Sequence, residues 1–277
     1  MEPVTVILPA SNEESLIGDC LDAVLASSWS RIDSLQVVVV ANGCTDRTAE
    51  VARTRTSDFG GRGWSLEVIE LAQGSKIAAL NAGDAAARGA TRIYLDADVV
   101  VSAPLLEQIA GVLDVSKPRY ASGLVEMTAQ GWISRAYAGI WRQVPFMAEC
   151  VPGCGVFAVN APGRKRWDEF PKIISDDTFV RLNFTPVERI GVAAGYTWPI
   201  AEGFRNLVKV RRRQDVGVDE IGRAFPDLLK NDDKVPMSKR KTLGMALRNP
   251  VGFAVYTGVA LISKLTRHRA KGWSRGR

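Results

Sequence analysis

Histidine is nearly missing from this chain, with His268 the one instance among 277 residues. Cysteine is hardly more frequent, at Cys20, Cys44, Cys150 and Cys154. Zinc wants three or four closely spaced nitrogen or sulfur ligands, so residues this few and scattered exclude a zinc site. Cys150 and Cys154 are near enough in sequence to pair, but two reduced thiols beside a buried strand are the expected state. That implies a reducing, cytoplasmic setting. A long hydrophobic run is missing as well: the uncharged stretch 249–263 has fifteen residues, and a bilayer-spanning helix needs about twenty. No basic and apolar leader opens the sequence, and no signal peptide is expected.

One sign of charge also runs out. After Asp233 there is no carboxylate at all, and from Arg205 onward 18 Lys and Arg face 6 Asp and Glu. The remainder, 1–204, then holds 36 − 18 = 18 basic and 30 − 6 = 24 acidic residues. A basic C-terminal third on a mildly acidic body suggests a membrane surface, a phosphate-bearing ligand or nucleic acid as partner. Apolar residues make up 46% of the chain and charged ones 24%, enough to bury a full core and too apolar for disorder.

The first hundred residues alternate strand and helix signals. Val4 to Leu8 is a short apolar run, and Asn12 is placed to cap a helix in which Leu16, Ile17, Cys20, Leu21, Val24 and Leu25 recur at helical spacing. Val37-Val38-Val39-Val40 reads as a strand buried on both faces. A second helix is expected over 48–55, a Gly-rich surface loop over 57–64, a third strand over 66–71 and an alanine-rich helix over 76–88. Ile93-Tyr94-Leu95 is a fourth strand. This order predicts an α/β fold, a mostly parallel sheet with helices on both faces. Further on, 104–113 reads as helix, 119–127 as strand, 132–144 as an apolar helical stripe, 153–160 as strand and 178–183 as helix.

Chemistry concentrates at the predicted strand ends, where ligands bind in open parallel sheets. Asp96-Ala97-Asp98 follows the fourth strand. Two carboxylates one residue apart repel unless a cation lies between them, and a divalent metal with hard oxygen ligands, Mg²⁺ or Mn²⁺, also gathers diphosphate oxygens. Solvated aspartates after an edge strand are the plain alternative. An Asp-x-Asp nucleophile of the haloacid-dehalogenase phosphatases belongs on a first strand, and here three strands precede it. Pro9-Ala10-Ser11-Asn12-Glu13-Glu14 leads from the first strand into a helix start, a natural place for a nucleotide. It has no G-x-G-x-x-G, so a dinucleotide cofactor is not expected. Ala41-Asn42-Gly43-Cys44-Thr45-Asp46 forms a sharp turn after the second strand.

These segments resemble family 2 glycosyltransferases. The run from Val4 to Glu14 is similar to their opening, and Val37 to Thr48 to their second strand and turn. Lys76-Ile77-Ala78-Ala79-Leu80-Asn81-Ala82-Gly83 is similar to their lysine-and-asparagine helix start, and Tyr94-Leu95-Asp96-Ala97-Asp98 to their metal motif. Ser175-Asp176-Asp177-Thr178-Phe179-Val180 resembles the acidic pair that contains their catalytic base. The five motifs stand in the family's order and span about two thirds of the chain.

The resemblance implies a GT-A fold and an inverting single displacement from a nucleotide-sugar donor to a saccharide or lipid-linked acceptor. Asp98, assisted by Asp96, is then expected to hold Mn²⁺ or Mg²⁺, and Asp177, with Asp176 as its neighbour, to serve as catalytic base. Pro9, Ala10, Asn12, Glu13, Asn42, Lys76, Asp96 and Ala97 are expected to line the nucleotide pocket. Two departures stand out. Family members using uridine donors commonly carry aspartate where this chain has Asn42. The Gln-x-x-Arg-Trp motif of processive members is absent, its place taken by Arg205 to Gln214, where Arg211 and Arg212 are candidates for diphosphate or acceptor contacts. A catalytic domain over 1–204 is expected, with its nucleotide half near 1–100 and its acceptor half at 101–204. A basic extension follows over 205–277.

That extension, with its uncharged stretch and cationic tail, fits an interfacial helix on an anionic inner leaflet; a helix packed on the catalytic domain is the alternative. No nucleic acid is expected. Two rival functions remain. A sugar-phosphate nucleotidyltransferase normally shows a Gly-rich basic loop after its first strand, which Pro9 to Glu14 lacks. A catalytically inactive membrane-docking scaffold has no need to keep Asp96, Asp98 and Asp177.

Overall fold

A computed structural model of the chain describes residues 4–31 and 34–267. The tail cations Arg269, Lys271, Arg275 and Arg277, and His268, lie outside the described residues. In chain order, β1 (Val4–Ala10), α1 (Ile17–Leu25), β2 (Leu35–Asn42), α2 (Thr48–Arg53), α3 (Thr56–Gly61), β3 (Ser65–Leu71), α4 (Lys76–Ala86) and β4 (Thr91–Leu95) alternate as the pattern predicts. Then come β5 (Val100–Val101), α5 (Leu105–Leu113), β6 (Tyr120–Thr128), α6 (Trp132–Trp141), α7 (Pro145–Ala148) and β7 (Val156–Val159). The chain continues through α8 (Ala161–Arg164), α9 (Asp176–Leu182), β8 (Arg189–Pro199), α10 (Gly203–Ala224), α11 (Lys239–Arg248) and α12 (Pro250–Leu265). The chain divides into two compact units interleaved along the sequence. The first comprises Met1–Glu126, Gly153–Lys172 and Val187–Trp198, and the second Met127–Pro152, Ile173–Pro186 and Pro199–Arg277.

The first unit is built on an eight-stranded sheet of order β3-β2-β1-β4-β7-β6-β8-β5. β3, β2, β1 and β4 run parallel, while β7 lies antiparallel to β4 and β6 antiparallel to β7. Both faces of the parallel part are covered, and the valines of β2 show how. Side chains alternate across a strand, so Val37 and Val39 join one core with α1 and α5, and Val38 and Val40 join another with Ala79 of α4. A β-carbon on Gly83 of α4 would stand 2.4 Å from Ile7 Cγ2, so only glycine lets this helix lie so close to β1.

Three local expectations change. The segment expected as a surface loop over 57–64 contains α3, which carries Phe59 into the core against Trp64, ring centres 6.1 Å apart. Asn12 does not cap α1: Leu16 holds that position without a side-chain bond, and the Asn12 side chain is used elsewhere. Beyond α9 lies an eleven-residue strand, β8, that the sequence did not announce. The four cysteines are free thiols.

In the second unit, α12 packs against α6, α10 and α11. The long basic helix α10 carries Arg211 and Arg212. Among the described residues no helix is long and apolar enough to cross a membrane.

Candidate donor-binding site at the strand ends

The parallel register of β1 and β2 places Ala10 beside Ala41, so the chain leaves both strands at one edge. The two exits are tied together. Asn12, at φ 55°, accepts hydrogen bonds on Oδ1 from the Thr45 N–H at 2.8 Å and the Thr45 hydroxyl at 3.2 Å. Asparagine tolerates this left-handed conformation better than most residues. The Glu13 N–H donates to Thr48 Oγ1 at 2.8 Å and the Glu14 N–H to Asp46 Oδ2 at 3.1 Å. Burial alone would raise the pKa of Asp46. The Thr48 hydroxyl and the N–H groups of Glu14 and Thr48 outweigh it and hold the carboxyl below its ordinary range. Pro9 and Ala10 are buried strand residues, so they offer a ligand backbone rather than side chain.

Asn42, 3% exposed, extends the tie to the next loop. Its Nδ2 donates to the Ala10 carbonyl at 2.8 Å, and its Oδ1 accepts from the Ser75 N–H at 3.0 Å. Gly43 follows at φ +57°, where a β-carbon would meet the Gly74 nitrogen at 2.4 Å. The β2 turn and the start of α4 therefore touch backbone to backbone. Ser75 caps α4 by accepting from the Ala78 N–H at 3.2 Å. Lys76 becomes the first helical residue, at a helix end whose free N–H groups favour anions.

From there the Lys76 ammonium reaches Asp96 Oδ1 at 3.0 Å. Asp96 is held by its backbone: its N–H donates to the Gly155 carbonyl at 2.9 Å, and its own carbonyl accepts from Val99 at 3.1 Å. The resulting turn buries Ala97 and leaves Asp98 half-buried, with its Oδ1 out of solvent. Burial, then the nearby carboxylates of Asp96 and Glu13, push the Cys20 thiol far up, so it stays protonated.

No group of three acidic, histidine or cysteine side chains that could hold a metal occurs among the described residues. Mg²⁺ and Mn²⁺ do not need one. Such ions commonly take one or two carboxylates, with phosphate oxygens and water filling the other positions. The donor set of Asp96 and Asp98, both hard oxygen ligands at one strand end, fits that requirement once a diphosphate is present.

Asp176 and Asp177 are the first two residues of α9, in the second unit. Asp176 is 5% exposed, whereas Asp177 is half-buried and accepts from the Thr178 N–H at 2.6 Å. Four residues on, Arg181 is fully buried. It pairs with Asp232 at 2.8 Å and with Asp233, and lies over the Phe146 ring. Arg211 and Arg212 stand on α10 in the same unit. Arg211 pairs with Asp215 at 3.0 Å. Burial acts to lower its pKa, but Tyr137, Tyr256 and Asp215 prevail and raise it. Arg212 donates to the Thr266 hydroxyl. Asn12, Glu13, Asn42, Lys76, Asp96 and Asp98 are thus brought together in the first unit. The acidic pair and the two arginines belong to the second.

Gly74 and Ser75 escaped the sequence reading, although they complete the loop that carries Lys76. A serine one residue ahead of an alanine-rich helix is a capping signal, and it marks this position in the sequence.

Comparison with known proteins places these features in a family. The model of the family described as Glycosyl transferase family 2 matches residues 5–149, slightly more than half of the chain. Curated relatives include the uncharacterized glycosyltransferase EpsJ of Bacillus subtilis, 32% identical over 106 residues, which are 38% of this chain and 29% of that protein. Glycosyltransferase AglE of Haloferax volcanii is 32% identical over 126 residues, 45% of this chain and 40% of its own. The matched region therefore spans well under half the length of either relative. Among solved structures, mannosyltransferase PcManGT from Pyrobaculum calidifontis, in complex with GDP-Man and Mn²⁺, superimposes with a TM-score of 0.64 at 19% identity. That match covers 98% of this chain and 76% of the other. Glucosyl-3-phosphoglycerate synthase from Mycobacterium tuberculosis, in complex with Mg²⁺ and UDP, gives 0.55 at 16% identity, covering 80% and 79%. At such identities the likeness shows the fold, which is GT-A.

Proposed function

The chain belongs to glycosyl transferase family 2, and from that premise we propose that it moves a hexosyl group from a nucleoside-diphosphate sugar to an acceptor hydroxyl. The observation that carries this reading is the convergence of Asn12, Asn42, Lys76, Asp96 and Asp98 on one end of the parallel strands, where Lys76 already pairs with Asp96. That edge offers what a nucleoside diphosphate needs: a helix start and an ammonium for the phosphates, and two carboxylates for a divalent ion.

In this reading the backbone at Pro9 and Ala10, with Asn12, Glu13 and Asn42, shapes the nucleotide pocket. Lys76 meets the diphosphate, and Asp96 and Asp98 hold Mn²⁺ or Mg²⁺. When bound there, the ion would supply positive charge to offset that of the leaving diphosphate. Asp177 takes the acceptor's hydroxyl proton while that oxygen bonds to the anomeric carbon from the face opposite the leaving group. The bond to the diphosphate breaks with its electron pair, so the product is inverted. Asp176, more deeply buried, supports the helix start. The metals and nucleotides named for PcManGT and for the mycobacterial synthase support a divalent ion and a diphosphate donor here. The lack of a tryptophan in the stretch 205–214 favours single additions over processive polymerisation.

The acceptor we propose is a saccharide or lipid-linked molecule of cell-envelope polysaccharide or glycolipid synthesis. The catalytic residues 1–204 then work beside a basic extension, 205–277, that rests on the inner face of the membrane. A panel of nucleotide sugars with and without Mn²⁺ tests the reaction by release of nucleoside diphosphate. Release with a defined donor supports it. Release of pyrophosphate from a sugar phosphate and a nucleoside triphosphate would reveal a nucleotidyltransferase. Binding without turnover across all donors and acceptors would leave an inactive scaffold.

A further inference from the structure

Six of the thirteen large apolar side chains exposed among the described residues lie on the two successive helices α11 and α12. On α11, Leu243 and Leu247 are 61% and 75% exposed. On α12, Val251, Leu261 and Leu265 are each more than half exposed, and Ala254 lies open between the first two. Positions 251, 254, 261 and 265 are spaced by three, seven and four residues, which puts them along one stripe of a helix. The opposite stripe is filled: Gly252, Val259 and Ser263 are buried, the Ser263 hydroxyl donates to Asp215 at 3.1 Å, and α12 packs on α6 and α10. α12 is therefore anchored on one side and uncovered on the other. Asn249 ends α11 and also caps α12, accepting from the Gly252 N–H at 2.9 Å, so the two helices meet at one residue.

Charge selects the occupant. Lys239, Arg240 and Arg248 on α11 and Lys264 on α12 are exposed, and no carboxylate follows Asp233. A second copy seated on this surface by a two-fold axis would bring these cations against their own equivalents, which opposes association. The ten residues after Arg267 carry four more Lys and Arg and no acid, which adds to the positive charge of this part of the sequence. An anionic lipid surface satisfies both features, since it accepts leucines into its acyl boundary and cations at its headgroups.

We propose that the outward stripes of α11 and α12 form the membrane-docking surface of this protein, inserting Leu243, Leu247, Val251, Leu261 and Leu265 beneath anionic headgroups. This rests on the peripheral placement proposed above and assigns it to particular side chains on two helices. The enzyme then sits in the interface without crossing it, as short amphipathic helices do.

The test is co-sedimentation of the full chain with phosphatidylcholine vesicles, with or without phosphatidylglycerol. Four proteins are compared: the parent, Leu243→Gln/Leu247→Gln, Leu261→Gln/Leu265→Gln, and Lys239→Gln/Arg240→Gln/Arg248→Gln. These side chains are exposed, so thermal melting and donor release in solution should match the parent. The parent should partition onto anionic vesicles and come off with salt. Each leucine pair should weaken that partition at least tenfold, and the cation variant should lose the preference for anionic lipid. If the parent binds and both leucine pairs bind equally well, this surface is wrong while peripheral attachment stands, carried by another segment. If the parent stays in the supernatant with both vesicles, the docking surface and the peripheral reading fall together. A parent dimer that the leucine variants dissociate, with no vesicle binding, would make a second copy the occupant and overturn the proposal.

Discussion

The ammonium of Lys76 lies 3.0 Å from a carboxylate oxygen of Asp96, so the proposed phosphate-binding cation and one proposed metal-side carboxylate neutralise each other before substrate arrives. In the proposed reading, a bound diphosphate and divalent ion would exchange this pair for two others, Lys76 with phosphate and Asp96 with metal.

Lys76→Met should therefore weaken nucleoside diphosphate binding about ten- to a hundredfold, the scale of a hydrogen bond to a charged group. Calorimetric titration in the presence of Mn²⁺ measures it. Undiminished affinity would leave Lys76 as a structural partner of Asp96 alone.

Asp98→Ala should abolish the Mn²⁺ dependence of that binding while the protein melts at the parent temperature. Asp98 follows β4 in a tight turn that backbone bonds of Asp96 hold, so the main chain keeps the loop in place. Retained metal dependence would move the ligand role elsewhere.

Asp177→Asn should preserve donor binding and cut turnover by roughly a hundredfold or more, the contribution expected of a general base. Asp176→Asn should act chiefly on stability, because Asp176 is the buried member of the pair. The reverse pattern in single-turnover rates would exchange the two roles.

Gly43→Ala should destabilise the fold by about 2 kcal/mol or more. It combines a positive φ with a β-carbon 2.4 Å from backbone that has no flexible end to yield. Urea unfolding measures the loss. Donor affinity should fall as well, since the same contact seats the loop ahead of Lys76.

Asp46 gives a test in pH. Its carboxyl titrates below the ordinary range in the folded chain, so on acidification the unfolded state takes up this proton first. The stability it contributes is complete above the ordinary carboxyl value near 4 and is lost as pH falls through the folded value. Asp46→Asn should cost about 1 kcal/mol at pH 7. The gap to the parent should close in urea melts at the acid end.

Much of this was legible because local signals and tertiary demands agree. The valine run of β2 announced a strand buried on two faces, and Asp96 and Asp98 sit where strand alternation placed them. The misreadings have a common cause in distant partners. Gly60, Gly61 and Gly63 made 57–64 look like a loop, yet burying Phe59 against Trp64 stabilises a turn of helix there. β8 carries two glycines and no sustained β-branched run; Tyr196 fixes it by donating to the Cys154 carbonyl at 2.6 Å, a partner 42 residues away. Asn12 looked like a cap, but its side chain serves a turn 33 residues further on. For α12 the helix was legible and its exposed face was not, because periodicity marks a stripe without saying what covers it.

The pairing of β5 with β8 has a consequence on the ribosome. Val100 finds its partner in Thr197, 97 residues later, and at roughly 5–20 residues per second that delay is about 5–20 s. β4 waits in the same way for β7, its Leu95 paired with Val156. Throughout that interval the nascent chain holds an apolar strand edge open, the kind of edge that recruits other chains. A slowly translated or truncated chain should therefore depend on chaperones more than its finished stability would suggest, and shortening it before β8 removes a strand from the sheet.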